Sequence, residues 1–550
     1  MARIRVWILP LLLSAFLAGP AGGQQVQVGV SLETLPLLQV LDQIDKEYVD
    51  PVGLDTLVEQ SIVSLLQGLD PYSNYIPARE AQRTNEELMG RFYGIGIQYW
   101  LYQDTARVMS VIRGTPAHRG GLLSEDRILA VDGKSVVGAS NFHTINGAIR
   151  GAKGTPVRLT ILRQADTLRF RLLRDSIPLR SVDASYMVNR ELGYVSFTNF
   201  SATTCQELSS ALDSLKRCGM RALILDLRGN PGGIMESAVN VAALFLPKST
   251  LVVYSKGRAW PRQEYTANVN GSYSKLPMAV LIDAFSASSS EIVAGALQDN
   301  DRAVIVGQQS SGKGLVQQQM GLYNGALLRL TKARYFTPSG RCIQRHYVLG
   351  HRKEYVEAFR QRFLHGANGL LDTLDMPDSL IYYTQYSHRP VFGGGGILPD
   401  VLVPMDTSRM PRSVLALLRG GHLYGWAHEY QANFRANGKP SMPFEQFDEA
   451  FRWTPEMEES LRKYCIQAKA DDSIMAMDSA ACDVLAYRAK VLLTQELYGD
   501  SPARCVLNAR SAEYLQAVAL FEDWARRGLS LLQPPSSAEA ERPAAREKKR

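Results

Sequence analysis

The stretch Leu223-Ile-Leu-Asp-Leu-Arg-Gly-Asn-Pro-Gly-Gly-Ile-Met-Glu236 is typical of an α/β domain. It opens with a continuous apolar run, as a buried parallel strand does, and passes through a glycine-rich turn into a helix. Strand and helix patterns alternate around it from residue 180 to residue 340, which predicts a layered α/β domain. The glycines let backbone N–H groups converge on one point that suits an oxyanion, although an ordinary tight turn has the same residues.

A second turn of this kind contains Ser288, within Asp283-Ala-Phe-Ser-Ala-Ser-Ser-Ser-Glu-Ile292. The serine follows another buried strand and opens another helix, so the N–H of Ser289 is expected at a helix N-terminal anion site. A serine hydroxyl becomes a nucleophile when a neighbouring base takes its proton. The alternative for this run of serines is a helix cap with solvated hydroxyls.

The candidate base is Lys313, in Gly307-Gln-Gln-Ser-Ser-Gly-Lys-Gly314. A lysine accepts a proton only where burial lowers its pKa enough to populate the neutral amine. The segment also resembles a phosphate-binding loop, but Gly314 stands where that loop needs a Ser or Thr to hold Mg²⁺. Gln317 carries an amide oxygen that can accept a hydrogen bond from the lysine ammonium and orient it. Gln317 is equally well explained as a polar residue of a strand.

These motifs resemble those of the carboxyl-terminal processing peptidases, or tail-specific proteases, of serine peptidase family S41. The resemblance covers residues 30–345 and rests on the segments 225–233, 285–299, 312–317 and 333–340, in that order. It implies Ser288 as nucleophile, Lys313 as general base and Gln317 as the residue that orients the base. It also implies an oxyanion hole from the backbone N–H groups of Gly233 and Ser289, and a layered protease core of the ClpP/crotonase type.

Residues 92–178 carry short β-rich runs between glycine turns and resemble the PDZ domain of the same family. Two glycines in its predicted carboxylate-binding loop free backbone N–H groups to capture a peptide terminus. The loop consists of Tyr93, Gly94, Ile95, Gly96 and Ile97. A PDZ fold without a peptide role is the alternative. Arg150, at the end of a helix in this segment, is predicted to be a regulatory contact between the PDZ and protease domains.

The whole chain is predicted to be a multidomain α/β protein with an inserted PDZ β-barrel-like domain and helical regions at both ends. The expected boundaries are 24–91 for an N-terminal helical region, 92–178 for the PDZ domain, 179–345 for the protease core, 346–407 for an extension that returns to the core, and 408–533 for a C-terminal helical domain. The last of these regions contains no recognisable catalytic motif.

The two ends of the chain have their own patterns. Residues 1–23 have the pattern of a secretory signal peptide, in which Arg3 and Arg5 precede an apolar stretch too short to span a bilayer comfortably. We therefore expect a periplasmic or secreted protein, with an uncleaved, membrane-associated segment as the alternative. Residues 534–550 are rich in Pro, Ser, Ala and charge and are predicted to be a disordered basic tail.

The composition argues against several function classes. A formal net charge of +7 over 550 residues gives little support to nucleic-acid binding. The six cysteines and eight histidines show no metal-ligand spacing, so neither a metal nor a cofactor is predicted. Export would permit disulfides, for example among Cys465, Cys482 and Cys505.

The predicted function is an exported endopeptidase that selects its substrates by an apolar C-terminal tail and cleaves through an acyl-enzyme. The expected partners are proteins or peptides with such tails and a regulatory or adaptor protein, and the resemblance adds a homodimer. A catalytically silent PDZ adaptor on a protease scaffold is the rival function. The presence of Ser288, Lys313 and Gln317 favours the enzyme.

Overall fold

The computed structural model describes residues 31–102, 105–138, 142–364, 377–404, 410–436, 442–468 and 479–527. The chain divides into two compact units, residues 1–69 and residues 70–550. The first unit holds a short 3-10 helix, Leu32–Thr34, and helices α1 (Leu35–Glu47) and α2 (Leu54–Gln67). The predicted signal peptide (1–23) and the predicted disordered tail (534–550) lie outside the described residues.

The second unit begins with a strand and a helix that lead into a small β domain. Its elements are β1 (Asn74–Ile76), α3 (Ala78–Met89), β2 (Arg91–Gly94), β3 (Ile97–Tyr102), β4 (Thr105–Val111), α4 (Pro116–Gly120), β5 (Arg127–Val131), β6 (Lys134–Ser135), α5 (Phe142–Ile149), β7 (Pro156–Arg163), β8 (Asp166–Leu173) and β9 (Asp175–Pro178). Its antiparallel sheet has the order β3-β4-β5-β7-β8, so β3 is an edge strand of this sheet. Alternate residues such as Ile128, Leu159 and Ile161 form its core with Ile145 of α5.

The α/β region follows with strands and helices in alternation. Its elements are β10 (Val182–Met187), β11 (Leu192–Phe197), α6 (Thr204–Arg217), β12 (Ala222–Asp226), α7 (Met235–Ala243), β13 (Leu251–Gly257), β14 (Trp260–Thr266), β15 (Met278–Ile282), α8 (Ser289–Asp299), β16 (Val304–Gly307), β17 (Leu315–Gly321) and β18 (Leu327–Phe336). An extension then adds α9 (Arg352–Leu364), a 3-10 helix (Asp378–Leu380), β19 (Ile381–Tyr383), β20 (Pro390–Phe392) and β21 (Val401–Leu402).

The last part of the chain is helical. Its helices are α10 (Arg412–Arg419), α11 (His422–Ala436), α12 (Phe444–Ala450), α13 (Pro455–Gln467), α14 (Ser479–Tyr498), α15 (Asp500–Asn508) and α16 (Ala512–Arg527). Trp426, Leu461 and Leu485 lie in a separate apolar core of this region. None of the helices in the described residues is long and apolar enough to cross a membrane.

The central sheet has the order β10-β11-β12-β15-β16-β21 and is parallel from β11 onward. Strands β12, β15 and β16 are buried along their whole length, which explains their largely apolar sequences. Leu223 and Leu225 face the core formed with α6, α7 and α8, whereas Ile224 faces a second core that contains Tyr514 and Phe521 of α16. The sheet is therefore covered on its second face by a helix from the far end of the chain.

A second, mostly antiparallel sheet holds β1-β18-β13-β14, with β17 paired to β18. Its pairing of β1 with β18 brings the turn before β1 close to β17. The carboxyl ends of β12, β15 and β16 and the start of β17 thus define one region. Ser288 lies in the loop after β15, Lys313 in the loop after β16, and Gln317 on β17.

Candidate active site

Ser288 lies between β15 and α8, immediately before the first residue of the helix. Its φ of +53° and ψ of −110° lie in a region that side-chain-bearing residues rarely adopt. The Ser288 N–H donates to Glu291 Oε2 at 2.8 Å, which holds the turn against the helix. The side chain is half-buried, so the hydroxyl sits at a helix N-terminus in a constrained backbone conformation.

The glycine turn after β12 packs directly against this serine. A Cβ atom at Gly232 would lie 2.8 Å from the Ala287 carbonyl and 2.9 Å from Ser288 Cβ, so only glycine permits the approach. The Asn230 carbonyl accepts from Ala287 N at 3.1 Å and thereby ties the two turns together. Among the described residues, the N–H of Gly233 donates no hydrogen bond, as an oxyanion donor requires.

The two predicted oxyanion residues also contact each other. Ser289 Oγ donates to the Gly233 carbonyl at 3.1 Å. Ser289 is the first residue of α8, so its N–H has no partner within the helix. The structure therefore brings the predicted donors of Gly233 and Ser289 to the same turn-to-turn contact beside Ser288.

A buried carboxylate joins the serine turn to the lysine loop. Glu291 accepts from Ser288 N at 2.8 Å and from Lys313 N at 2.9 Å through the same oxygen, Oε2. Its other oxygen accepts from Gly312 N at 2.7 Å and from the Ser310 hydroxyl at 2.5 Å. Burial raises the pKa of Glu291, and these four donors act against that rise.

Glu291 joins the two predicted catalytic segments, and the sequence-based prediction missed it. It is the third residue of α8, and Ser288-Ser-Ser-Glu291 has the spacing of a helix capping box. That signal was available in the sequence, although a capping box alone does not predict the second set of contacts with the lysine loop.

Lys313 lies in an environment that favours its neutral form. Burial lowers its pKa and the charge of Arg329 lowers it further, whereas Glu291 and Asp70 act in the opposite direction. The amine lies 4.9 Å from the ring centroid of Tyr72. The net lowering of the pKa is the property that a general base needs.

The Tyr335 hydroxyl contacts both chain segments of the candidate pair. It lies 3.1 Å from the Ser288 carbonyl and 2.9 Å from the Lys313 carbonyl, to which it donates. Tyr335 is fully buried near the end of β18. Together with Glu291 it fixes the two backbones relative to each other.

Gln317, on β17, reaches the lysine environment through Tyr72. Its Nε2 donates to the Tyr72 carbonyl at 2.8 Å. Tyr72 is positioned in turn by Asp70, which accepts from the Tyr72 N–H at 2.9 Å and from the Thr331 hydroxyl at 2.9 Å. The sequence does not show that this tyrosine lies next to the lysine amine, because 241 residues separate the two.

Arg150 and the predicted carboxylate-binding loop lie in the small β domain. Arg150 Nη1 donates to Glu86 of α3 at 3.0 Å, and its guanidinium carbon lies 4.3 Å from the Phe92 ring centroid. At Gly96, with φ +83°, a Cβ atom would lie 2.3 Å from Thr115. The predicted loop is shorter in the structure, since Tyr93 and Gly94 belong to β2, which pairs with β9, and Ile97 begins β3. Arg150 joins α3 to this domain.

No group of three His, Cys, Asp or Glu side chains that could hold a metal ion occurs in the part of the chain that the structure describes. Cys205, Cys218, Cys342, Cys465 and Cys505 are free thiols.

The sequence is similar to proteases that process carboxyl termini. It is 36% identical over 314 residues to the carboxy-terminal-processing protease of Bartonella bacilliformis, which covers 56% of this chain and 71% of that protein. It is 34% identical over 311 residues to the carboxy-terminal processing protease CtpA of Bacillus subtilis, covering 56% and 66%. The profile of peptidase family S41 matches residues 191–353, and that of a PDZ domain matches residues 107–163.

Among solved structures, the photosystem II D1 C-terminal processing protease aligns with a TM-score of 0.34 and 23% identity, over 70% of this chain and 95% of that one. The sequence matches confirm the family resemblance that the motifs predicted.

Proposed function

The chain belongs to peptidase family S41, and from this membership we propose that it is an exported serine endopeptidase that recognises substrates by an apolar C-terminal tail. The class of serine-type peptidase follows from the sequence matches. Export, tail recognition and the individual catalytic residues are the parts that we infer for this chain, together with a protease core of the ClpP/crotonase-like layered type.

In the proposed mechanism, Ser288 Oγ attacks the scissile carbonyl carbon while the neutral Lys313 amine takes its proton. The backbone N–H groups of Gly233 and Ser289 stabilise the oxyanion. Lys313 then returns the proton to the leaving amine, and water releases the acyl-enzyme with Lys313 as base again. Gln317 orients this region through Tyr72.

One observation carries this proposal. The backbone N–H groups of Ser288 and Lys313 donate to the same oxygen of the buried Glu291, although 25 residues separate them in the chain. A helix cap or a phosphate loop would not require this link. A base with a lowered pKa, tied through Glu291 to the turn of a serine at a helix N-terminus, is an arrangement that suits serine activation.

The small β domain supports recognition of tails. Strand β3 lies at the edge of its sheet and follows Ile95 and Gly96, so a peptide can add as a further strand with its carboxylate on backbone N–H groups of segment 93–97. The silent-adaptor alternative is not favoured, since the relatives are proteases. Exposed apolar residues of α1, such as Leu37, Leu38 and Val40, are consistent with the expected homodimer.

The test uses the full chain and a quenched fluorescent peptide with an apolar C-terminal tail. Ser288→Ala and Lys313→Ala are each expected to abolish cleavage, because they remove the nucleophile and its base, whereas Ser210→Ala, an exposed serine on α6, serves as the control. Cleavage at the wild-type rate by Ser288→Ala would contradict the assignment.

Two further measurements test tail recognition and export, which the catalytic variants do not test. Amidation of the peptide's C-terminus is expected to raise KM if the loop 93–97 binds the carboxylate. Cell fractionation with N-terminal sequencing checks export, which predicts a mature N-terminus near Gln24 in an exported fraction.

A further inference from the structure

The helix α16 carries a carboxylate that contacts both loops of the candidate site. Glu513 Oε2 lies 3.1 Å from Arg228 Nη1, and Glu513 Oε1 accepts from Gln308 Nε2 at 3.0 Å. Arg228 belongs to the turn that leads to Gly233, and Gln308 opens the loop that leads to Lys313. One side chain near the C-terminus therefore bridges the oxyanion turn and the lysine loop.

Arg228 is held from several sides. Its guanidinium pairs with Asp226 at 2.6 Å. It also donates to Asn508 Oδ1 at 2.9 Å and to the Ser511 hydroxyl at 2.5 Å. The side chains of Arg228 and Glu513 are each only 16% exposed. Charges so little exposed are weakly screened, and their geometry is correspondingly well defined.

Gln308, at the start of the lysine loop, donates one backbone and one side-chain hydrogen bond. The Gln308 N–H donates to the Ile282 carbonyl at 3.0 Å, and its side chain is buried against α16 through Glu513. Five residues further on, Lys313 is anchored by Glu291. Glu513 thus supplies a contact at the opposite end of the loop from Glu291.

A purely structural role for Glu513 is the simpler reading, and the packing argues against it. Tyr514, Ala517 and Phe521 already bury α16 against the central sheet. Burying a charged pair costs desolvation energy, so an ion pair adds little where apolar contacts suffice. A carboxylate that touches two loops of one site is, in contrast, suited to setting their separation.

We propose that Glu513 is a positioning residue that sets the distance between the oxyanion turn and the lysine base, so that the C-terminal helix is part of the protease site. This inference rests on the proposed function. Loss of the carboxylate leaves Arg228 paired with Asp226, so the fold is retained while the direct link between Arg228 and Gln308 is lost.

The kinetic experiment compares Glu513→Ala, Glu513→Gln and the control Gln516→Ala, an exposed residue of the same helix, on the peptide described above. Misplacement of catalytic groups costs up to about 100-fold in rate. We expect kcat of Glu513→Ala to fall by about 10-fold or more with KM nearly unchanged, and Glu513→Gln to recover part of the loss. Gln516→Ala should match the wild type.

A coupled variant and a measurement without substrate complete the test. Arg228→Ala in the Glu513→Ala background should cost less than it does alone, because the two changes remove one interaction. Amide hydrogen exchange of the full-length variants should rise in segments 227–233 and 308–313 for Glu513→Ala but not for Gln516→Ala.

The outcomes separate this inference from the proposed function. An inactive wild type would refute the proposed function, and exchange would then still decide whether Glu513 holds the two loops. A wild-type kcat in Glu513→Ala, or unchanged exchange in both segments, would overturn the inference. A Tm loss that accounts for the whole loss of activity would assign Glu513 a structural role instead.

Discussion

Ser288 has a backbone conformation that favours glycine, with φ at +53°. Non-glycine residues in sparsely populated backbone regions cost on the order of 1–3 kcal/mol each, and they persist only where the surroundings impose them. Here the surroundings are the Glu291 carboxylate on the Ser288 N–H and the Gly232 backbone against its side chain. The backbone conformation that positions the serine hydroxyl therefore lowers the stability of this turn.

The strain can be measured with two inactive variants. We expect Ser288→Gly to be more stable than Ser288→Ala by about 1 kcal/mol, because strain relief exceeds the added backbone entropy of the unfolded glycine chain. Urea unfolding of both variants provides the comparison, and equal free energies of unfolding would show that the turn is unstrained.

The close approach of Gly232 gives a second prediction at this scale. Gly232→Ala should lower kcat/KM by about 100-fold, because its methyl group would displace the Ser288 turn and the oxyanion donors. Gly229→Ala is a matched control, since Gly229 also has a positive φ but a methyl group there would meet open space. Similar losses in both variants would assign the effect to backbone strain instead.

At the scale of elements, the lysine environment comes from strands that meet from distant parts of the chain. Strand β17 follows Lys313, β18 carries Arg329, and the turn before β1 supplies Tyr72 under the amine. Burial and the Arg329 charge both lower the pKa of Lys313. The effect of the Arg329 charge can be removed by one substitution.

Arg329→Gln is therefore expected to move the activity profile toward higher pH. In the proposed mechanism the active form has a neutral Lys313, so kcat/KM rises as pH passes through the lysine pKa, and loss of a neighbouring positive charge raises that pKa. The pH dependence of kcat/KM measures the shift, with the exposed Arg262→Gln on β14 as control. An unchanged or more acidic rising limb would contradict the role of Arg329.

At the scale of the whole molecule, the C-terminal helices contact the small β domain through a buried histidine. His428 of α11 lies 2.7 Å from Glu125 of that domain and 2.9 Å from Glu496 of α14. Burial alone would lower the pKa of His428, but the two carboxylates outweigh it and raise the pKa to about 9. Arg107 also pairs with Glu125.

This contact predicts a pH-dependent stability. A raised folded-state pKa contributes stability that is fully present below the unfolded value, about 6.5, and is lost as pH rises through about 9. We expect the wild type to lose on the order of 2 kcal/mol over this window. His428→Gln should remove this slope, as followed by urea unfolding at several pH values, and a variant that keeps the slope would exclude His428 as its origin.

Several parts of the site could be predicted because they are local or follow from sheet topology. The run 223–236 has the pattern of a strand, a turn and a helix in consecutive residues, and the ends of parallel strands meet at one edge. The segments of Ser288 and Lys313 are joined through Glu291, to which both backbone N–H groups donate. The contacts of Glu513 with Arg228 and Gln308 could not be predicted in the same way, because they join segments more than 200 residues apart without any local periodicity.

The cover that α16 forms on the central sheet has a consequence for biosynthesis. The ribosome completes β11, β12, β15 and β16 long before it adds residues 512–527. During that interval the apolar side chains of Ile224, Ala279 and Leu281 lack the helix that buries them. Exposed apolar strands of this kind promote aggregation, so the nascent chain is expected to need chaperones until α16 has emerged.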